Sequence, residues 1–476
     1  LHHTRILTHD HGQHGQPDLK PFTLLPTNNP QEFLQHHILP QLVPDHAKIL
    51  DVYPVTRIQR RFLHHPKRGL PRFPSMVFFD FPPGSDPHKL RLACMALVQR
   101  FDILRTIFLS VSGQFFQVVL DGYGIVIPVI EVDEELDDAT RKLHDSDIQQ
   151  PLRLGKPLIR IAVLKRQHSR VRAVLRLSHA LYDGLSFEHI IQSLHALYLD
   201  ITLSAPPKFG LYVQHMIQSR AEGYAFWRSV LKGSSMTILE RSSTLQSRQP
   251  HLGRFLSAEK IIKAPLHANK SGITQATVFA AANALMLANL TGTNDVVFAR
   301  IVSGRQSLPK NFQHVVGPCT NDVPVRVRME PGVGPKALLR QVQDQYVHSF
   351  PFETLGFDEI KENCTDWPER ITNFGCSTTY QNFDIFPKSQ IDHQQIQMAS
   401  LASEYQNRET WDEAPLYDLN VTGVPQPDGR HIKIYVGVDG QLCDESTLDC
   451  ILSDICEGVV SLTDALQELP AASITE

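Results

Sequence analysis

The stretch Ser178-His179-Ala180-Leu181-Tyr182-Asp183-Gly184-Leu185-Ser186 sets an imidazole, a carboxylate and a glycine at the spacing HxxxDG. Histidine titrates near neutrality, so an imidazole held in place can take a proton from an attacking amine or hydroxyl. Peptide N–H groups in the turn after it can receive the negative charge that develops on a carbonyl oxygen during acyl transfer. The constellation therefore points to acyl transfer, with His179 and the backbone around Gly184 as the catalytic groups. An isolated HxxxD also suits a satisfied core histidine, so the surrounding sequence has to decide.

Those surroundings hold the histidine rigidly. Val171, Ala173, Leu175 and Leu177 alternate as in a strand, which places His179 at a strand end. After Gly184, Ser186 is placed to cap a helix in which Phe187, Ile190, Ile191, Leu194, Leu197 and Tyr198 form one apolar face. Asp183 reads as the residue that fixes the turn by pairing with an arginine, not as the third member of a triad. Neither Ser178 nor Ser186 lies in a G-x-S-x-G elbow, which argues against a seryl intermediate. Cys319 is the one cysteine in a loop-like setting; a small packed residue is the better reading of it.

Composition narrows the class. A chain of 476 residues, 42% hydrophobic and 20% charged with a net charge of −4, is an ordinary globular protein. It is long enough for two lobes of roughly 200 to 250 residues each. Arg57, Arg60, Arg61, Lys67, Arg68 and Arg72 form a basic run with no acid between them. Such a run is either a solvated face or an anion site, and the slightly acidic whole argues against nucleic acid. No metal-binding or nucleotide fingerprint accompanies the HxxxDG element. Seven scattered cysteines without a CxxC pair fit reduced thiols and a cytoplasmic protein. The apolar stretch Thr277 to Leu290, interrupted by Asn283 and Asn289, is too short to span a bilayer and reads as a core helix.

The start, Leu1-His2-His3-Thr4, has neither an initiator Met nor a signal peptide, which points to a piece of a longer polypeptide. Residues 1–20, rich in His and polar residues, read as a linker. A helix is expected from Gln31 to Leu42, a turn at Pro44-Asp45, a helix from Thr56 to Leu63, a strand from Met76 to Phe81, a helix starting at Pro87 and a strand from Gln114 to Leu120. Strands over Val296 to Val302, Val323 to Val327 and Ile432 to Val438 complete an α/β (α+β) pattern. Breaks at Pro206-Pro207 and Gly233-Ser234-Ser235 divide it into lobes of 21–228 and 229–476.

An ordered series of motifs adds to this reading. It runs through Tyr53-Pro54-Val55-Thr56 with Gln59, Leu104-Arg105-Thr106-Ile107-Phe108, the HxxxDG element and Tyr224-Ala225-Phe226-Trp227. It continues through Ser303-Gly304-Arg305, Val316-Gly317-Pro318-Cys319-Thr320-Asn321 to Arg326, and Tyr380-Gln381-Asn382. In this order the motifs resemble the condensation domains of nonribosomal peptide synthetases. Ordinary condensation domains read HHxxxDG. Ser178 replaces the first histidine here, and with Ser186 the pattern resembles the SHxxxDxxS form of terminal, cyclising fungal domains, with a fumiquinazoline-type alkaloid synthetase as a suggested parent.

The resemblance implies two chloramphenicol-acetyltransferase-like lobes in a V-shaped pseudo-dimer. His179 would stand in a channel entered by the phosphopantetheine arm of an upstream peptidyl carrier protein domain, with Tyr182, Asn321 and Asn382 as channel or substrate residues. No cofactor would be bound by the domain itself, and neither nucleic acid nor membrane is an expected partner. The peptidyl thioester would be released by intramolecular attack of its own amine. Asp183 would pair with an arginine of the second lobe, best matched by Arg326, with Arg305 as the alternative. Ser178 and Ser186 would be structural. The rivals are an ordinary condensation domain, an acyltransferase with an external amine or alcohol, and a silent carrier-docking module. Plant-type coenzyme A acyltransferases carry a DFGWG element that is absent here.

Overall fold

The computed structural model describes residues 19–42, 48–63, 74–121, 124–167, 169–239, 255–264, 272–384, 387–391, 394–400 and 417–467. The linker over 1–20 apart from its last two residues, the turn at Pro44-Asp45, and Lys67, Arg68 and Arg72 lie outside these residues. The first half contributes strands β1 (Lys48–Pro54), β2 (Pro74–Phe81), β3 (Thr106–Val111), β4 (Gln114–Asp121), β5 (Val129–Glu131), β6 (Ile159–Lys165) and β7 (Val171–Ser178). The second half contributes β8 (Phe255–Lys263), β9 (Asp295–Val302), β10 (Asn321–Arg328), β11 (Cys376–Tyr380), β12 (Lys388–Ile391), β13 (Gln394–Ser400), β14 (Leu419–Pro425) and β15 (His431–Asp439).

Two six-stranded sheets, one per lobe, carry the fold. The first runs β12-β13-β2-β7-β6-β5 and the second β10-β9-β11-β14-β15-β8, with a smaller β1-β4-β3 sheet beside the first. This is the expected mixed α/β architecture of two sheet-containing lobes. β7 lies between β2 and β6 and is buried along its whole length, which makes it a rigid base for the histidine at its end. Its period-two residues Val171, Ala173, Leu175 and Leu177 join the main core of the first lobe. The other face is buried as well, because Arg172 forms a bidentate pair with Asp80 (2.6 and 2.9 Å) and lies over the Phe78 ring. Satisfied in this way, an arginine is tolerated in an otherwise apolar strand.

Most expected helices form for the reasons read in the sequence. Asp86 caps Pro87–Arg100 by accepting the His88 and Lys89 amides. Gln275–Thr291 is a core helix, started by the Thr274 side chain and stopped by Gly292 in the left-handed region. Within it Asn283 is buried against the Cys376 thiol while Asn289 is exposed. The single helix expected over Gln31 to Leu42 is instead an α turn (Pro30–Phe33), a wider π turn (Leu34–Ile38) and a 3₁₀ turn (Leu39–Gln41). Pro40, which lacks an amide to donate, sits in that last turn. All seven cysteines are free thiols. Among the described residues no helix is long and apolar enough to cross a membrane.

The two lobes interlock across the expected division at 228/229. It falls inside the helix Arg220–Leu231, whose Trp227 and Leu231 pack with Leu355, Phe357 and Phe374 of the second half. β12 and β13 leave the second half and extend the first sheet by pairing Gln397–Ser400 with Val77–Asp80. Leu308, Phe312, Val315, Val316 and Cys319 also join the first-lobe core. Chain order alone could not show these crossings.

Candidate active site

His179 follows the last residue of β7, and its ring is clamped on both faces. Tyr182 stacks on one side at 4.3 Å between centroids and Phe62 on the other at 4.8 Å, both nearly parallel to the imidazole. Nδ1 lies 3.3 Å from the Tyr182 carbonyl oxygen, which can only accept, so Nδ1 carries the proton and Nε2 the free lone pair. Burial of the ring lowers its pKa from 6.5, although the Tyr182 carbonyl and the Asp183 charge favour the cation. The result is a neutral, oriented imidazole at pH 7, the form that accepts a proton.

The helix Arg57–Leu63 supplies one of these braces. Thr56 and Gln59 form a reciprocal capping box: the Thr56 amide donates to Gln59 Oε1 at 2.9 Å and the Gln59 amide to Thr56 Oγ1 at 3.3 Å. Gln59 is fully buried, and its Nε2 donates to the carbonyl of Ala180, the residue after the histidine, at 3.2 Å. Phe62, one turn further on, presents the stacking ring. The opening motif contained Gln59, but no sequence signal separated Phe62 from other core residues.

Asp183 does not face the imidazole as a triad acid. Its Oδ2 accepts from Arg305 Nη1 (2.7 Å), the amides of Cys319 (2.9 Å) and Thr320 (3.0 Å) and the Thr320 hydroxyl. Its Oδ1 accepts from Arg305 Nη2 (2.9 Å) and from both the amide and hydroxyl of Ser186. Burial alone would raise the Asp183 pKa; the Arg305 charge and these hydrogen bonds outweigh it and hold the carboxyl below its ordinary value. Arg305 also donates to the carbonyls of Val315 and Gly317, so few of its donors are left unused.

The expectation that Arg326 would be the partner is therefore corrected in favour of Arg305. Arg326 sits opposite Val297 in the β9–β10 register, which brings Asp295 of the neighbouring strand within reach. Its guanidinium binds Asp295 at 2.6 and 2.9 Å and caps the carbonyls of Val230 and Lys232, away from Asp183.

Ser186 is also corrected, from helix cap to first residue of the helix Ser186–Tyr198, with no capping bond from Leu185 before it. Its hydroxyl instead accepts the Gly317 amide at 3.1 Å, tying the turn to the second half. Ser178 is buried and its Oγ accepts the Ala180 amide. Tyr182 is buried, and its phenol is hydrogen-bonded to Ser75.

Asn321 is buried too, with both ends of its amide used, on Glu353 and on the Asp322 amide. Asn382 is exposed, and the next residue, Phe383, packs on Gly184, whose added Cβ would lie 2.9 Å from that ring. Cys319 is buried, with its thiol pushed well up by desolvation, which fits a packed residue and not a nucleophile.

Where the basic run is described, Arg57 and Arg61 are turned inward while Arg60 stays exposed. Arg57 and Arg61 pair with the buried Asp322 and Arg60 with Asp358, both acids of the second half.

A family model described as "Condensation domain" matches residues 49–471. The chain belongs to the condensation-domain family. Condensation domains are acyltransferase-like enzymes that work on groups carried by the phosphopantetheine arm of carrier domains. Relatives of this condensation domain include "Nonribosomal peptide synthetase kk1B" of Curvularia clavata, 47% identical over 96% of the chain, and "PF 1022-synthetase" of Rosellinia sp., 45% identical over 93%. "Cyclosporin synthetase simA" of Tolypocladium inflatum is 43% identical over 93%. The chain spans only 4%, 14% and 3% of these proteins, respectively.

Solved structures share its fold. One described as "holo T3CT" has a TM-score of 0.76 at 23% identity, covering 93% of this chain and 98% of that one. The starter condensation domain of rhizomide synthetase RzmA has a TM-score of 0.68 at 18% identity, covering 88% and 99%.

Proposed function

We propose that this condensation domain releases a peptidyl thioester by cyclisation, with the peptide's own amine attacking the thioester carbonyl. The observation that carries the reading is the neutral His179, stacked on both faces and oriented by the Tyr182 carbonyl, so that Nε2 is the base. The amine nitrogen bonds to the carbonyl carbon and gives up a proton to Nε2. Collapse of the tetrahedral species breaks the C–S bond, and the proton leaves with the phosphopantetheine thiolate as a free thiol. The amides of Gly184 and Leu185 have no partner among the described residues, and they supply donors for the oxyanion. Base catalysis of this kind contributes roughly 10²- to 10⁴-fold, and intramolecular attack adds the advantage of proximity.

The SHxxxDxxS pattern supports release over ordinary chain extension, and the peptidyl carrier domain upstream in the same synthetase is the partner in this reading. The names of the relatives favour a cyclodepsipeptide over a fumiquinazoline-type alkaloid. One relative is "Enniatin synthetase" of Fusarium oxysporum and another "Bassianolide nonribosomal cyclodepsipeptide synthetase" of Beauveria bassiana, each 42% identical. These names favour a second reading in which a hydroxyl attacks and an ester closes the ring. Nε2 serves either nucleophile.

Competition tests the proposal. The domain is given a peptide thioester on its carrier, with and without excess free amine, and products are weighed by mass spectrometry. Cyclic product that persists with added amine supports cyclising release, and its opening in mild base marks an ester. A linear amide formed only with the added amine contradicts it and favours ordinary condensation.

A further inference from the structure

The segment Cys319 to Asp322 holds both supports of the catalytic histidine. Its first two amides bind Asp183, in the turn that carries Tyr182. Its last residue, Asp322, is buried and pairs with Arg57 and Arg61 on the helix that carries Phe62. Tyr417 donates its hydroxyl to the same carboxylate at 3.1 Å, and the Arg61 guanidinium lies over the Tyr417 ring. Between them, Asn321 fixes the segment to the Glu353 carbonyl. The two rings that sandwich His179 thus belong to first-lobe elements, each anchored to one short stretch of the second lobe.

We infer that Phe62 is a positioning residue for His179 and that the Arg57/Arg61–Asp322 cluster couples its placement to the contact between the lobes. The Asp183–Arg305 pair holds one face of the ring, and this second latch holds the other. If the lobes part at Asp322, the helix Arg57–Leu63 keeps only its pairs with Asp358, the Phe62 ring slides, and Nε2 loses its fixed direction while the HxxxDG turn stays intact. An offset of about 1 Å in a reacting group can cost roughly 100-fold in rate, so a small slide suffices. The inference rests on His179 acting as the base in the proposed reaction.

Charged and titratable groups lie on both elements packed against the ring, among the described residues. On the turn they are Asp183, neutralised by Arg305, and the Tyr182 phenol bound to Ser75. On the helix they are Arg57, Arg60 and Arg61, matched by Asp322 and Asp358. Removing Phe62 exposes one face to water and relieves the desolvation that now lowers the imidazole pKa.

The test compares Phe62→Leu, Asp322→Asn, the double variant, Phe62→Tyr as the conservative rescue, and Ile455→Ala in the distant second-lobe core as a control for loosening. The His179 titration is followed by NMR, assigned by its absence in His179→Ala, alongside turnover of the carrier-bound peptide and carrier affinity. The expected result is a rise of the His179 pKa towards its ordinary value in both Phe62→Leu and Asp322→Asn. Turnover falls about 10- to 100-fold at unchanged carrier affinity. The double variant is no worse than the worse single one, Phe62→Tyr restores turnover, and Ile455→Ala leaves the titration in place. A His179 titration that moves in Phe62→Leu but not in Asp322→Asn overturns the coupling. One that moves equally in Ile455→Ala reduces the effect to general loosening and also overturns it. The titration needs no substrate, so absence of turnover in the wild type would count against the proposed reaction and leave this inference to the NMR result.

Discussion

At the residue scale, the chemistry is set by which groups are charged. Burial keeps the His179 pKa below 6.5, so the acid limb of kcat/KM is expected to fall as a one-proton step with its midpoint below that value. Stability moves with the same sign. His179 and His189, the latter held at about 4 by burial and by the nearby His314 and Arg305, bind protons more readily in the unfolded chain. Their contribution is complete above the ordinary histidine pKa and is lost as pH falls from about 6.5 towards about 4. Thermal melts should show the midpoint dropping across that window, and His189→Asn should flatten the slope.

The buried ion pair makes a sharper distinction between two arginines. Arg305→Ala leaves Asp183 buried and unpaired and should cost about 3–5 kcal/mol in denaturant unfolding. Arg326→Ala loses an Asp295 that is part-exposed and should leave turnover near wild type. The HxxxDG element was legible in the sequence, whereas the choice of arginine was not. Arg305 follows β9 and Arg326 lies within β10, and only the register that puts Asp295 beside Arg326 removes it from contention.

At the element scale, the site depends on short turns that pass very close to one another. Gly304, with φ of +63°, lies where an added Cβ would meet the Cys319 carbonyl oxygen at 2.0 Å. Backbone on both sides leaves nothing flexible to give way, and the conformation itself disfavours a side chain. Gly304→Ala is expected to lower the melting midpoint and to cut turnover more than Arg326→Ala does, because it pushes the Cys319 and Thr320 amides away from Asp183. β7 and the helix after it were legible from period-two and helical spacing. The capping box at Thr56 and Gln59 was present as a T-x-x-Q pattern, but its importance comes from Gln59 reaching Ala180, a contact 121 positions away in the chain. No local pattern encodes such a contact.

At the scale of the whole molecule, the two lobes share their parts. β13 from the second half covers the edge of β2, and residues 308–319 fill the first-lobe core, so neither half closes its own core. A fragment of residues 21–228 alone should therefore expose a strand edge and aggregate, and co-expression with 229–476 should restore a soluble complex, read by size-exclusion chromatography. The two-lobe α/β class was legible from length and element order. The crossing of β12 and β13 was not, because their sequence, Lys388–Ile391 and Gln394–Ser400, is that of an ordinary polar hairpin whose partner lies more than three hundred residues away in the chain. The central claim joins all three scales: a histidine, braced by two first-lobe rings that are anchored to the second lobe, drives cyclising release. It is tested most directly by a single-turnover reaction of the domain with a peptidyl thioester loaded on its carrier, comparing wild type with His179→Ala. Cyclic product and free phosphopantetheine thiol formed together by the wild type and largely lost in His179→Ala are the predicted result. Equal rates of cyclic product from both proteins would contradict the account.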